Sequence, residues 1–192
     1  VRLPIDDSEA AFLTALREIG EGGRLVLSAP TGSGKSTRVP LWCAGAGYGP
    51  VLVIEPRRIA CRTLAEWLAR AWKEEVGQRV GFSIRFEQRC SDRTEILFVT
   101  PGVARRLLLE GALESYGTVI FDEFHERSWE TDVVMAALAA ARGRQRLLLM
   151  SATLAAARLV QTYEARHLEC FGRSFPVQIS YHSEAELTVP SS

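Results

Sequence analysis

Short apolar runs rich in Val, Ile and Leu alternate along the chain with longer stretches of helical period. The runs fall at 25–29, 51–55, 95–100, 118–122, 146–151 and 177–181, and a seventh, VGFSIRF, at 80–86. Each is five to seven residues long and nearly unbroken, the signature of strands covered on both faces rather than on one. Between them, apolar positions spaced by three and four predict helices over 8–19, 34–44, 58–74, 102–110, 130–142 and 154–165. Strands separated by helices predict an α/β fold: a mostly parallel sheet of six or seven strands with helices on both faces. The pattern runs without interruption to about residue 182. The remaining ten residues, SEAELTVPSS, are polar and aperiodic, as a tail or linker would be. The expected division is therefore one domain over 1–182 and a polar tail over 183–192.

Composition narrows this only slightly. With 192 residues, 47% hydrophobic and 24% charged, the chain matches an ordinary globular domain and excludes a disordered, collagenous or coiled-coil protein. No apolar run reaches the roughly 20 residues of a membrane span, and the first residues lack the basic start and apolar stretch of a secretion signal, which predicts a cytoplasmic protein without a membrane partner. Cys43, Cys61, Cys90 and Cys170 form no C-x-x-C pair and no cluster with the histidines, so free thiols and no structural metal are expected. Twenty-three basic residues balance twenty-three acidic ones, and net charge neither favours nor excludes a polyanionic partner.

The chemistry is concentrated in two segments. APTGSGKST, at 29–37, directly follows an apolar run and opens a helical one. In that position Thr31, Gly32, Ser33, Gly34, Lys35, Ser36 and Thr37 form a phosphate-cradling loop. The glycines let backbone amides turn inward, the helix presents its positive end, Lys35 adds a mobile charge, and the Ser36 hydroxyl suits Mg²⁺. Ala29 replaces the first glycine of the strict pattern. The second segment begins where the run 118–122 ends, with Asp122 and Glu123 side by side. Asp122 suits a metal held partly through water, and Glu123 suits a base that deprotonates an attacking water. Alone, such a pair is equally a charged helix start; with the phosphate loop upstream the two segments supply complementary halves of nucleotide hydrolysis.

These motifs together resemble the first, RecA-like motor domain of DEAH-box ATP-dependent helicases. DEFHER (122–127) and SAT (151–153) join APTGSGKST, while EPRRIACRTLA (55–65), VGFSIRFE (80–87) and VTPGVARRLL (99–108) are similar to the family's further motifs, all in family order. DEFHERS, EPRR and GRSFPV (172–177) are especially similar to the bacterial HrpB-type subgroup. The resemblance implies a RecA-like P-loop fold, ATP and Mg²⁺ as cofactors, and hydrolysis coupled to movement along RNA or single-stranded DNA. It assigns catalysis to Lys35, Asp122, Glu123 and His125, the histidine facing a second motor domain. It makes Ser36 and Asp122 the Mg²⁺ residues, and Ser151 and Thr153 a coupling device between the acidic motif and the nucleic-acid surface. The SAT segment also suits the start of the following helix. Contacts to the nucleic-acid backbone fall to Arg57, Arg58, Thr100, Gly102 and Arg105, with Arg85 and Phe86 as weaker candidates, Phe86 being equally suited to the core.

Some points stay open at the level of sequence. Relatives stack adenine on an arginine where this chain has Trp67, and an indole there suits either base stacking or packing under its helix. Arg127 suits a pair with Glu123 or Glu126, or a place in the cleft. No Q-x-x-G-R-x-G-R string supplies the arginines of a second motor domain. ARGRQR (141–146) has the wrong order and reads as charge at a helix end. The chain is therefore expected to be one half of a motor that hydrolyses ATP poorly alone. The competing readings are a P-loop kinase or other small-molecule nucleotide hydrolase, and a nucleotide-gated RNA-binding module without productive hydrolysis.

Overall fold

The computed structural model describes residues 2–151 and 156–170. Eight strands form one sheet: β1 (Arg24–Ser28), β2 (Val51–Ile54), β3 (Val80–Ile84), β4 (Glu87–Arg89), β5 (Ile96–Val99), β6 (Thr118–Phe121), β7 (Arg146–Ser151) and β8 (Arg166–Glu169). Their order is β4-β3-β5-β2-β6-β7-β1-β8. Every pairing is parallel except the short β3/β4 hairpin. The helices are α1 (Glu9–Ile19), α2 (Lys35–Gly45), α3 (Arg58–Ala71), α4 (Pro101–Leu109), α5 (Trp129–Ala141) and α6 (Ala156–Tyr163).

The unbroken apolar runs have the expected cause. In β7, Leu148 and Met150 join one buried cluster with residues of α1, α2 and α3. Their neighbours Leu147 and Leu149 join a second cluster with residues of α4, α5 and α6. The period of two that sends successive side chains to opposite faces therefore finds a core on either side, and no position along the central strands needs to be polar.

Two strands escaped the sequence reading, and among the described residues the sheet has eight, where about six or seven were expected. β4 is three polar residues, EQR, held only by its hairpin partner. β8 reads RHLE, with three of its four residues exposed; an edge strand pairs through its backbone and needs no apolar face to do so. The expected strand at 177–181, the GRSFPV segment and Thr153 lie outside the described residues, as does the polar tail. The remaining expected elements appear, with ends shifted by at most three residues. The shift matters at three places: β1, β2 and β6 stop at Ser28, Ile54 and Phe121, so that Ala29, Glu55 and Asp122 stand just past the sheet's C-terminal edge. In such folds that edge is where ligands collect.

Candidate nucleotide and nucleic-acid site

The loop between β1 and α2 depends on two glycines. Gly32 and Gly34 have φ of 77° and 97°, a region costly for residues with a Cβ. At Gly34 a Cβ would also lie 2.6 Å from Leu3 Cδ1. Close packing against Leu3 belongs to a buttress that sequence reading missed. The 3-10 turn Pro4–Ser8 runs behind the loop: the Ile5 amide donates to the Ser33 carbonyl at 3.1 Å, and Arg38 pairs with Asp6 at 2.7 Å. Nothing in the composition of Pro4–Ser8 signals this role, because its partners, the Ser33 carbonyl and the Arg38 side chain, lie about thirty residues away.

Lys35, the first residue of α2, is buried, and its Nζ lies 3.1 Å from Glu123 Oε1. The other Glu123 oxygen faces His125 Nδ1 at 3.3 Å. Glu123 itself adopts a left-handed backbone conformation, with φ 43° and ψ 43°, which turns the chain abruptly at the end of β6 and separates its side chain from that of Asp122. Asp122 is buried. Its Oδ1 accepts the Glu123 amide at 2.8 Å, while Oδ2 is sealed from solvent without a hydrogen-bond partner among the described residues. Burial pushes the Asp122 carboxyl up to about 6. The Glu123 charge adds to this, against the opposing pull of the Ser36 hydroxyl, the Lys35 ammonium and the Glu123 amide. A buried carboxylate oxygen with an unused lone pair beside a serine hydroxyl is a fitting donor set for a hard cation such as Mg²⁺, with Ser36 and Asp122 as the residues to hold it.

A cavity of about 1210 Å³ opens between the phosphate loop, the start of α3 and the acidic turn. Thr31, Ser36, Glu55, Arg57, Arg58, Glu123, His125 and Glu126 all line it. Thr37 turns away: its hydroxyl donates to the Gly34 carbonyl at 2.9 Å and secures the first turn of α2. Ser33 is buried and its hydroxyl lacks a partner among the described residues. Ser151 is fully buried at the end of β7, in register with Ser28, and β7 runs between β6 and β1. Trp67 is 42% exposed and outside the buried clusters, which corrects the packing alternative. It does not line the cavity either, whose α3 wall is made by residues up to Leu64.

Among the candidate nucleic-acid residues, Arg57 and Arg58 stand at the start of α3. The Arg57 amide donates to Glu55 Oε1 at 3.1 Å, and its guanidinium forms two hydrogen bonds with Glu126, one at 3.3 Å. Arg58 donates to the Arg85 carbonyl at 2.9 Å. Thr100 is the N-cap of α4. Gly102 follows in its first turn, close to Glu130, and Arg105 stacks over the Trp129 ring with 5.4 Å to its centroid. The second set is thus on a different helix, α4. Phe86 is 88% exposed, with φ 69°, so it is not core. It sits in the β3/β4 turn under the Arg85 guanidinium, 4.7 Å from centroid to cation.

Arg127 takes neither anticipated carboxylate. It pairs with Asp132 at 2.8 Å, one turn into α5, and covers Phe124. In the ARGRQR segment, Arg144 pairs with Glu21 and Arg146 covers the Tyr48 ring, both remote from the acidic turn.

Glu55 is the cavity-lining carboxylate that sequence reading passed over. It is buried, and burial pushes its carboxyl up to about 7, helped by the charges of Asp122, Glu123 and Glu126 and opposed by the Arg57 amide. The signal was present: like Asp122, it is a carboxylate placed directly after an apolar strand, on the neighbouring strand of the sheet.

The arrangement is that of a P-loop nucleotide-binding domain: a glycine loop and its lysine facing paired carboxylates at the C-terminal edge of a parallel sheet. Comparison with known proteins makes the class definite. Residues 10–161 match the family DEAD/DEAH box helicase, and the chain belongs to that family. It is 42% identical over 166 residues to the ATP-dependent RNA helicase HrpB of Escherichia coli, a match covering 82% of this chain and 20% of that protein. Identity to the ATP-dependent RNA helicase HrpA homolog of Haemophilus influenzae is 34% over 177 residues, covering 88% and 14%. The crystal structure of the Escherichia coli DEAH/RHA helicase HrpB superimposes with a TM-score of 0.82 at 38% identity, over 92% of this chain and 23% of that one. A second, of the Escherichia coli DExH-box NTPase HrpB, gives 0.80 at 38% identity, over 93% and 23%. The chain spans about a fifth of the length of its relative HrpB. Among the described residues no helix is long and apolar enough to cross a membrane.

Proposed function

We propose that the chain is the first motor domain of a DEAH-box helicase of the HrpB type, binding ATP and hydrolysing it to drive movement along RNA or single-stranded DNA. The observation that carries this reading is the convergence of Lys35 and Glu123, 3.1 Å apart, beside a buried Asp122. Two segments nearly ninety residues apart in sequence meet where a triphosphate would lie. The loop Thr31–Thr37 cradles the phosphates through its amides, and Lys35 neutralises them as they arrive. Glu123, held between Lys35 and His125, exchanges the lysine for the nucleotide and accepts the proton of the attacking water. Ser36 and Asp122 would hold Mg²⁺, which would supply positive charge to the phosphates.

In this reading His125 faces a second motor domain, and Ser151 and Thr153 pass the state of the nucleotide towards the nucleic acid. Arg57, Arg58, Thr100, Gly102 and Arg105 hold backbone phosphates, a mode that carries no sequence code. Trp67, exposed on α3 beyond the cavity wall, is the candidate for stacking on the base. In this reading residues 1–182 form the domain and 183–192 lead towards the second motor domain, in a cytoplasmic protein. The experiment that tests the reading is RNA-stimulated ATP hydrolysis by the protein at its natural length, compared with its Glu123→Gln variant.

A further inference from the structure

Arg57 is held at both ends by carboxylates from different parts of the cavity wall. Its amide donates to Glu55 Oε1 at 3.1 Å, so the β2–α3 connection is fastened to a buried side chain. Its guanidinium reaches across to Glu126 with two hydrogen bonds. The side chain of Arg57 is 71% exposed and that of Glu126 28%. An ion pair this open to water is weakly held, and a phosphate offers the arginine the same two-oxygen geometry with more charge. Glu126 is also the last residue of the 3-10 turn Phe124–Glu126, and its amide donates to the Glu123 carbonyl at 2.8 Å. Whatever moves Glu126 therefore acts on Glu123 through a single turn.

We propose that Glu126 is a positioning residue whose ion pair with Arg57 is exchanged for a nucleic-acid phosphate, and that this exchange reports nucleic-acid occupancy to Glu123. Glu55 keeps the Arg57 backbone fixed, so the exchange is confined to the guanidinium. The pair has two discrete arrangements, Arg57 on Glu126 or Arg57 on phosphate, and the second is favoured only when the polyanion is present; a link between sites needs such differential contacts. The inference rests on the proposed role of Arg57 as a phosphate contact.

The test is a double-mutant cycle in the protein at its natural length, with ATP, magnesium and single-stranded poly(U) RNA. Two quantities are read: the RNA concentration giving half-maximal stimulation, and the ratio of RNA-saturated to RNA-free turnover. Glu126→Gln should lower the half-saturating concentration by about 2- to 5-fold, the reach of an exposed ion pair, and should also lower the stimulation ratio. Glu126→Asp, which keeps the charge, should return both towards the parent. In an Arg57→Ala background, Glu126→Gln should change neither. Full persistence of its effects in that background, or Glu126→Gln and Glu126→Asp both behaving as the parent, would overturn the link while leaving the functional reading intact. If Arg57→Ala alone leaves the half-saturating concentration unchanged, Arg57 is not a phosphate contact, and both that assignment and the link fail. Thermal melting of each variant separates these outcomes from loss of fold.

Discussion

Lys35 Nζ and Glu123 Oε1 stand 3.1 Å apart, the lysine buried and the carboxylate only partly open to solvent. In this arrangement each charge is the other's partner across the cleft between the glycine loop and the acidic turn. The pair gives the buried ammonium a counter-charge and restrains the Glu123 carboxylate, so both side chains are held in place by each other. Losing one partner leaves the other charge poorly solvated. Lys35→Ala and Glu123→Gln should therefore each lower thermal stability, while the double variant loses less than the sum. The expected coupling is about 0.5–3 kcal/mol, read from melting curves without nucleotide. Strict additivity would mean that the contact has no energetic weight.

The buried Glu55 makes stability depend on pH. In the unfolded chain this carboxyl titrates near 4.5, and in the fold burial and the neighbouring carboxylates push it up to about 7. Between those values the folded form binds the extra proton, so stability falls as pH rises through the window and remains lower above it. Glu55→Gln keeps an oxygen for the Arg57 amide and removes the titration. It should match the parent near pH 4 and exceed it above pH 7 by on the order of 1 kcal/mol. Denaturant titrations across that range check this, and parallel profiles would contradict it.

Trp67 offers a separation of folding from binding. With an indole 42% exposed, Trp67→Ala should change stability by no more than about 0.5 kcal/mol, as surface substitutions do. If the ring stacks on the base, nucleotide affinity falls roughly 5- to 150-fold, the span of about 1–3 kcal/mol for a lost aromatic stack. Titration with a fluorescent ATP analogue measures this directly, and unchanged affinity removes Trp67 from the site.

Much of this was legible in the chain before any coordinates. Sheet and helices were readable because β1, β2, β5, β6 and β7 are buried on both faces, which leaves an apolar run with no polar interruption. β4 and β8 were not, because edge strands held by backbone pairing carry ordinary polar side chains. The glycine loop and the acidic pair were readable because each motif is a set of residue types at fixed local spacing. The partners of Arg57 and Arg127 were not: Glu126 lies sixty-nine residues from Arg57, and Asp132 wins Arg127 over nearer carboxylates because α5 brings it round by one turn. Glu55 stayed hidden because a glutamate before Pro56 looks like surface charge until the sheet order sets β2 beside β6 and burial gives it Asp122 as a neighbour.

Glu123 is the group proposed to take the proton from the attacking water. Its most direct test is steady-state ATP hydrolysis by the protein at its natural length, with magnesium and saturating single-stranded RNA, for the parent and for Glu123→Gln. The amide preserves the side chain's shape but cannot accept that proton, so kcat should fall by about 10²–10⁴-fold while ATP binding stays within a few-fold of the parent. Turnover close to the parent's, with ATP still bound, would contradict the assignment.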